Sequence, residues 1–165
     1  MFKELLFAGI LGTAVYGGAA ELAVNGDFQP SGKTASPPRG WSRISGAKGT
    51  LEVVPGEDGV SVLLNAEPKG KIGIYSVPLK AKAGEKIVIS AHVGGEKITF
   101  GLFQYGKGRT TSQLKVLTGD VDGKVLSYTF TVTDAPNTPT ETVRIALLVE
   151  NGDAAAVSHV KARLE

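Results

Sequence analysis

Cysteine is absent from the 165 residues, and histidine, tryptophan and methionine number only two, one and one. Without Cys there is no disulfide framework, no thiolate metal site and no Cys nucleophile. The two histidines, His92 and His159, are too few for a clustered imidazole metal site, and no Gly-x-Ser-x-Gly elbow accompanies them. Charge of one sign is also lacking. The formal net charge of +2 is too small to imply a nucleic-acid partner, and none is expected. The acids sit mostly in turn-like stretches, as Asp27, Glu57, Asp58, Asp120, Asp122, Asp134 and Asp153, rather than as a pair held for hydrolysis. Gly70-Lys71 and Gly106-Lys107-Gly108 lack the P-loop spacing. Asp120-Val121-Asp122-Gly123 is half of a calcium loop without the closing Glu, and it reads as a hairpin tip. These absences argue against an enzyme and leave no metal ligands to assign.

A long apolar run occurs only at the start. Met1-Phe2-Lys3 is followed by an apolar stretch from Leu5 to Tyr16 and then by Gly17-Gly18-Ala19-Ala20. A basic start, an apolar middle too short for a bilayer span and small residues at the end are the layout of a secretory signal peptide. Residues 1–20 are therefore expected to be removed, leaving one domain over 21–165 with no membrane insertion after cleavage. An exported chain without Cys, and with no Asn-x-Ser/Thr sequon, fits a bacterial periplasmic, cell-surface or secreted protein.

What is present is alternation. Apolar residues recur every second position over 51–54, 60–64, 71–77, 86–93, 97–105, 113–117, 125–132, 142–149 and 155–164, about nine half-buried strands. Gly94-Gly95, Asp122-Gly123 and Asn151-Gly152-Asp153 are hairpin signals between them. Residues 29–40 form a long Pro/Gly/Ser loop, and Ala135-Pro136-Asn137-Thr138-Pro139 a second loop. No helix of ten residues is expected after the leader. The fold class is all-β, an antiparallel β-sandwich of jelly-roll type.

The order of several motifs adds to this. Asn25-Gly26-Asp27-Phe28 precedes the Pro-rich loop and Gly40-Trp41; Ala83-Gly84-Glu85-Lys86-Ile87-Val88-Ile89-Ser90-Ala91 follows; a strand over 156–164 closes the chain. In this order the sequence resembles the carbohydrate-binding modules of the galactose-binding-like jelly-roll group, in the manner of families four and nine, over residues 22–164. The resemblance implies a sandwich that binds polysaccharide on a sheet face. It also implies a structural calcium site near the opening motif and the last strand. Here the acid expected after Phe28 is Gln29, and the acidic pair of the last strand is Ser158-His159. The charge a hard cation needs is lost, so no cofactor is expected.

A sugar ring presents apolar C–H faces and equatorial hydroxyls, so its site combines exposed aromatic rings with amide, guanidinium or similar partners. Phe100, Tyr128 and Phe130 alternate in phase with aliphatics and read as core. Phe103 and Tyr105 alternate on the opposite face from Ile98, Phe100 and Leu102, and Tyr75 opposes Ile72 and Ile74. The expected ligand site is therefore Tyr105, Phe103 and Tyr75 as platform, with Arg144, His92 and Gln104 as polar partners and Trp41 as a further contact. The expected function is a secreted, non-catalytic polysaccharide-binding protein, with a glycoside hydrolase or envelope protein as possible companion. The low aromatic content, 7%, also suits a second reading: a structural or protein-interaction module of the envelope or extracellular matrix.

Overall fold

A computed structural model describes residues 19–56, 59–118 and 124–165. The leader expected over 1–20 lies outside it except for Ala19 and Ala20, as do the hairpin at Asp122-Gly123 and the half calcium loop at Asp120. Among the described residues no helix is long and apolar enough to cross a membrane.

Eleven strands form: β1 (Trp41–Arg43), β2 (Gly49–Gly56), β3 (Gly59–Ala66), β4 (Lys71–Ser76), β5 (Leu79–Lys80), β6 (Lys86–Gly94), β7 (Lys97–Gly106), β8 (Arg109–Thr118), β9 (Lys124–Thr131), β10 (Thr142–Glu150) and β11 (Ala154–Leu164). The nine spans read from alternation each fall on one of them. The two additional strands, β1 and β5, have three and two residues and are too short to show a period. The front sheet has the order β1-β4-β10-β7-β8, with β5 also paired to β10, and the back sheet the order β2-β3-β11-β6-β9. Every strand pair is antiparallel.

Packing follows the alternation. β6 turns Ile87, Ile89, Ala91 and Val93 inward, and β10 turns Val143, Ile145, Leu147 and Val149 inward to meet them. Phe100, Tyr128 and Phe130 lie in or against this core, as their phase requires. Turn chemistry closes the hairpins. Asn151 and Gly152, both at positive φ (58° and 87°), join β10 to β11 as a primed turn needs.

The opening motif is structural. Beyond Val157, β11 loses β3 as a neighbour, and a bulge shifts its register between Ser158 and Lys161. The N-terminal segment takes over that edge, with Leu22 N–H donating to Ala162 O (2.8 Å), Val160 N–H to Gly26 O (3.0 Å) and Leu164 N–H to Ala20 O (2.9 Å). Phe28, at φ 52°, then inserts into the core edge-on to Trp41, 5.4 Å between ring centres. The Trp41 indole N–H donates to Asn25 O (2.8 Å), and Asn25 Nδ2 donates to Arg39 O (2.6 Å), so the long loop is tied at both ends. Val53 N–H donates to Thr34 O (2.8 Å) and pins its middle to β2.

A Cβ on Gly26 would overlap the Val160 carbonyl oxygen, a backbone atom with no freedom to yield. Gly26→Ala is expected to cost about 3 kcal/mol, the upper end of overpacking penalties. Chemical denaturation reads this directly, and an unchanged midpoint would contradict the close approach.

Candidate functional site

The front sheet is apolar on both faces. Its inner face is the core. On its outer face the alternation places Tyr75 of β4, Arg144, Ala146 and Leu148 of β10, Gly101, Phe103 and Tyr105 of β7, and Leu114 and Val116 of β8. The ladder arranges them in rows: Tyr75 stands opposite Ala146, Arg144 opposite Phe103, and Tyr105 opposite Thr142 and Thr110. The middle of the face is floored by small residues, Gly73, Ala146 and Gly101. Ile44, Ala146 and Leu148 form a buried cluster there, with Tyr75 and Phe103 packed on its rim. Leu114 and Val116 extend the apolar surface outward, 54% and 50% exposed.

Arg144 occupies a gap in the ladder. β10 pairs with β5 through Thr142 and Val143 and with β4 from Ala146 onward, so Arg144 and Ile145 have no strand opposite on that edge. The buried Ser76 hydroxyl fills the break, accepting from Ile145 N–H (3.0 Å) and donating to Val77 O (2.9 Å). The Arg144 guanidinium carbon lies 4.8 Å from the centre of the Tyr75 ring and 5.8 Å from that of Tyr105. Both distances are within cation–π range. The result is an aromatic–guanidinium–aromatic row across three strands. Burial pushes the Tyr105 phenol above its ordinary value of 10.0; the Arg144 charge pulls it down and Tyr75 raises it. At neutral pH the phenol keeps its proton and can donate a hydrogen bond.

Four of the seven expected ligand residues, Tyr75, Phe103, Tyr105 and Arg144, thus share one face. Three do not. Gln104 points inward and is 2% exposed. Its Nε2 donates to Thr111 Oγ1 (3.1 Å) and Thr133 Oγ1 (3.2 Å), and its Oε1 accepts from Thr133 N–H (2.8 Å) and Gln113 Nε2 (3.3 Å). Both donors and both acceptor positions of the amide are used, so it stitches β7 and β8 to the loop after β9. β7 continues without a bulge to Gly106, and regular alternation sends residue 104 to the core side. Trp41 is 6% exposed and packs on Phe28 instead of lining the face. His92 lies on the outer face of the back sheet, its ring 5.0 Å from that of His159. Ile44, Leu148, Leu114 and Val116 also belong to the face, although the sequence reading did not name them. Within β10, Leu148 shares the phase of Arg144, whereas Ile44 lies outside any strand and reaches the face only through tertiary packing.

At the position where the resemblance implies calcium ligands, the Asp27 carboxylate instead faces His159 Nδ1 at 3.4 Å. Among the described residues this position offers an imidazole nitrogen and one carboxylate, a set that does not suit a hard cation. Among the described residues no group of three His, Cys, Asp or Glu is placed to hold a metal ion.

No protein-family model matches the chain, and no curated protein matches it in sequence. Solved structures match its fold. A cyclase from Fischerella sp. TAU superposes with a TM-score of 0.68 at 15% identity, covering 90% of this chain and 98% of the cyclase. A family 11 carbohydrate-binding module from Clostridium thermocellum, in complex with a β-1,3-1,4-mixed-linked tetrasaccharide, superposes at 0.55 and 15% identity, covering 88% and 96%. A family 4 carbohydrate-binding module superposes at 0.55 and 17% identity, covering 86% and 98%. The chain therefore has the jelly-roll fold of carbohydrate-binding modules, and the same sandwich also serves a cyclase.

Two outcomes follow from this geometry. Gln104→Ala removes a buried amide that makes four hydrogen bonds, including the one accepted from Thr133 N–H, and is expected to cost about 1–3 kcal/mol in chemical denaturation. In a spectrophotometric titration of the tyrosines, Tyr105 is expected to ionise above pH 10, and Arg144→Gln to move it higher by removing the lowering charge. A downward or absent shift would contradict the Tyr105–Arg144 contact.

Proposed function

We propose that the chain is an exported, non-catalytic polysaccharide-binding module that takes its ligand on the outer face of the front sheet. The observation that carries this reading is the row Tyr75–Arg144–Tyr105, with Phe103 beside it, on an otherwise apolar sheet surface. Flat rings accept the C–H faces of sugar residues, and the guanidinium and phenol donors serve their hydroxyls. An extended face favours a polymer over a monosaccharide. The fold likeness to modules of families 4 and 11, one of them holding a tetrasaccharide, supports the same reading.

The residues of the face also support a binding role over a catalytic one. General acid–base chemistry near neutral pH wants a group that titrates there. The groups of the row are a guanidinium, which stays charged, and phenols, of which Tyr105 is raised above its ordinary value. No cofactor is assigned, since Asp27 faces an imidazole. The leader-like residues 1–20 and the absence of Cys support export to a bacterial envelope or extracellular setting. A glycoside hydrolase or envelope protein would then be the natural companion. A spacer, one half of the competing reading, has no need of tyrosine rings on a sheet face, whereas a protein-interaction module would use the same Tyr and Arg residues and is separated by the glycan test.

Affinity electrophoresis of residues 21–165 against soluble glucans, xylans, mannans and pectins tests the proposal. Retardation by at least one polymer is expected, lost in Tyr105→Ala and Tyr75→Ala and kept in His92→Ala. No retardation by any polymer would sink the reading in favour of the structural module, and loss in His92→Ala alone would move the site to the back sheet.

A further inference from the structure

Resting on that reading, we propose that the ligand is an acidic polysaccharide, and that Arg144 receives the carboxylate of a uronic acid residue. The cations of the molecule are treated differently from one another. Arg163 is paired with Glu165 (3.1 Å), Lys97 with Asp153 (3.0 Å), and Arg43 donates to Gly49 O (2.6 Å). Arg144 is half-buried, yet among the described residues no carboxylate lies within ion-pair distance of it and no group accepts a hydrogen bond from it. Its contacts are the faces of Tyr75 and Tyr105.

That arrangement is costly without an anion. A partly desolvated charge loses hydration, and cation–π contact restores only part of it. Among the described residues no oxygen accepts from the guanidinium N–H groups, which leaves these donors for a ligand. An N–H edge held in one plane matches a carboxylate through two parallel hydrogen bonds, a geometry that a neutral hydroxyl cannot use as fully. A uronic acid residue supplies both halves: an apolar C–H face for Tyr75, Tyr105 or Phe103, and a carboxylate for Arg144.

Charge around the row extends the argument to a polymer. Lys80 stands opposite Thr142 on the same face, next along from Arg144, and Lys107 occupies the β7–β8 turn just beyond Tyr105. Both are exposed. Two carboxylates, Glu141 and Glu85, also line this rim beside Lys80, and neither is within ion-pair distance of Arg144. Both cations lie at the Thr142–Tyr105 end of the row, so the next carboxylates of a polyuronate leaving Arg144 at that end would meet them.

The test measures binding of the full domain, residues 21–165, to polygalacturonate and to alginate. Each is compared with the same polymer after chemical reduction of its carboxyl groups to alcohols, with mixed-linked β-glucan as a neutral polymer and polyglutamate as a polyanion that is not a sugar. At least one polyuronate is expected to bind, and carboxyl reduction is expected to weaken it about 10- to 100-fold, the size of a lost charge-assisted hydrogen-bond pair. Arg144→Gln should cause a similar loss, Arg144→Lys a smaller one, with thermal unfolding confirming that both variants fold. Binding of β-glucan but of neither polyuronate overturns this inference and leaves the glycan reading standing. So does polyuronate binding that Arg144→Gln leaves unchanged. Equal binding of polyglutamate reduces the effect to bulk charge and also overturns it. Failure of both polyuronates to bind overturns this inference, and failure of β-glucan, xylans and mannans as well removes the glycan reading with it.

Discussion

The molecule depends on how strand β10 satisfies its two edges. It runs through the middle of the front sheet and pairs along its length with β7 on one side. On the other side it begins with β5 and ends with β4. At the change of partner a backbone N–H is left over, and the buried Ser76 hydroxyl takes it. An orphaned amide at that depth would cost as much as a lost hydrogen bond. The repair instead leaves a gap beside Arg144, and into it the guanidinium settles between two tyrosine rings. Core, sheet order and candidate site thus meet at one place in the ladder.

The two outer faces of the sandwich differ for a related reason. β10 is central, and its outward Ala146 and Leu148 are buried by neighbours on their own face. Small residues at Gly73 and Gly101 let Ile44, Leu148 and Leu114 close over the floor, so an apolar field persists on a nominally solvated surface. The outer face of the back sheet is mixed instead: on β6 and β9 the outward Val88 and Val125 alternate with Ser90, Ser127, Thr129 and Thr131. A ligand that needs ring stacking finds it on the front. The closing strand spends its irregularity otherwise: its bulge accommodates the N-terminal segment through Gly26 and brings His159 against Asp27 and His92.

How far the site was legible varies residue by residue. Tyr75, Phe103, Tyr105 and Arg144 could be named because each falls out of phase with a clear aliphatic series, and the pleat converts phase into face. Gln104 falls in phase with the core. A polar side chain at a core position invites the idea of a local bulge, but the polar groups that satisfy it, Thr111, Gln113 and Thr133, come from β8 and from the loop after β9, seven to 29 residues away. Trp41 looks like a sugar platform by residue type alone; its burial depends on Phe28 and Asn25 arriving from across the long loop. His92 was placed correctly as outward-facing. The error lay in the choice of sheet, since outward phase is the same statement for both layers of a sandwich.

The sequence by itself determined the class of fold, nearly every long strand and which side chains of each strand face away from the core. These are local properties: a two-residue period and turn chemistry act between neighbours along the chain. Tertiary structure alone decided which strands share a sheet, that the edge of β10 breaks beside Arg144, and that the last strand needs the N-terminal segment to complete it. Pairing partners are chosen by long-range hydrogen bonds and by packing of one layer on the other, and no spacing along a single strand records them.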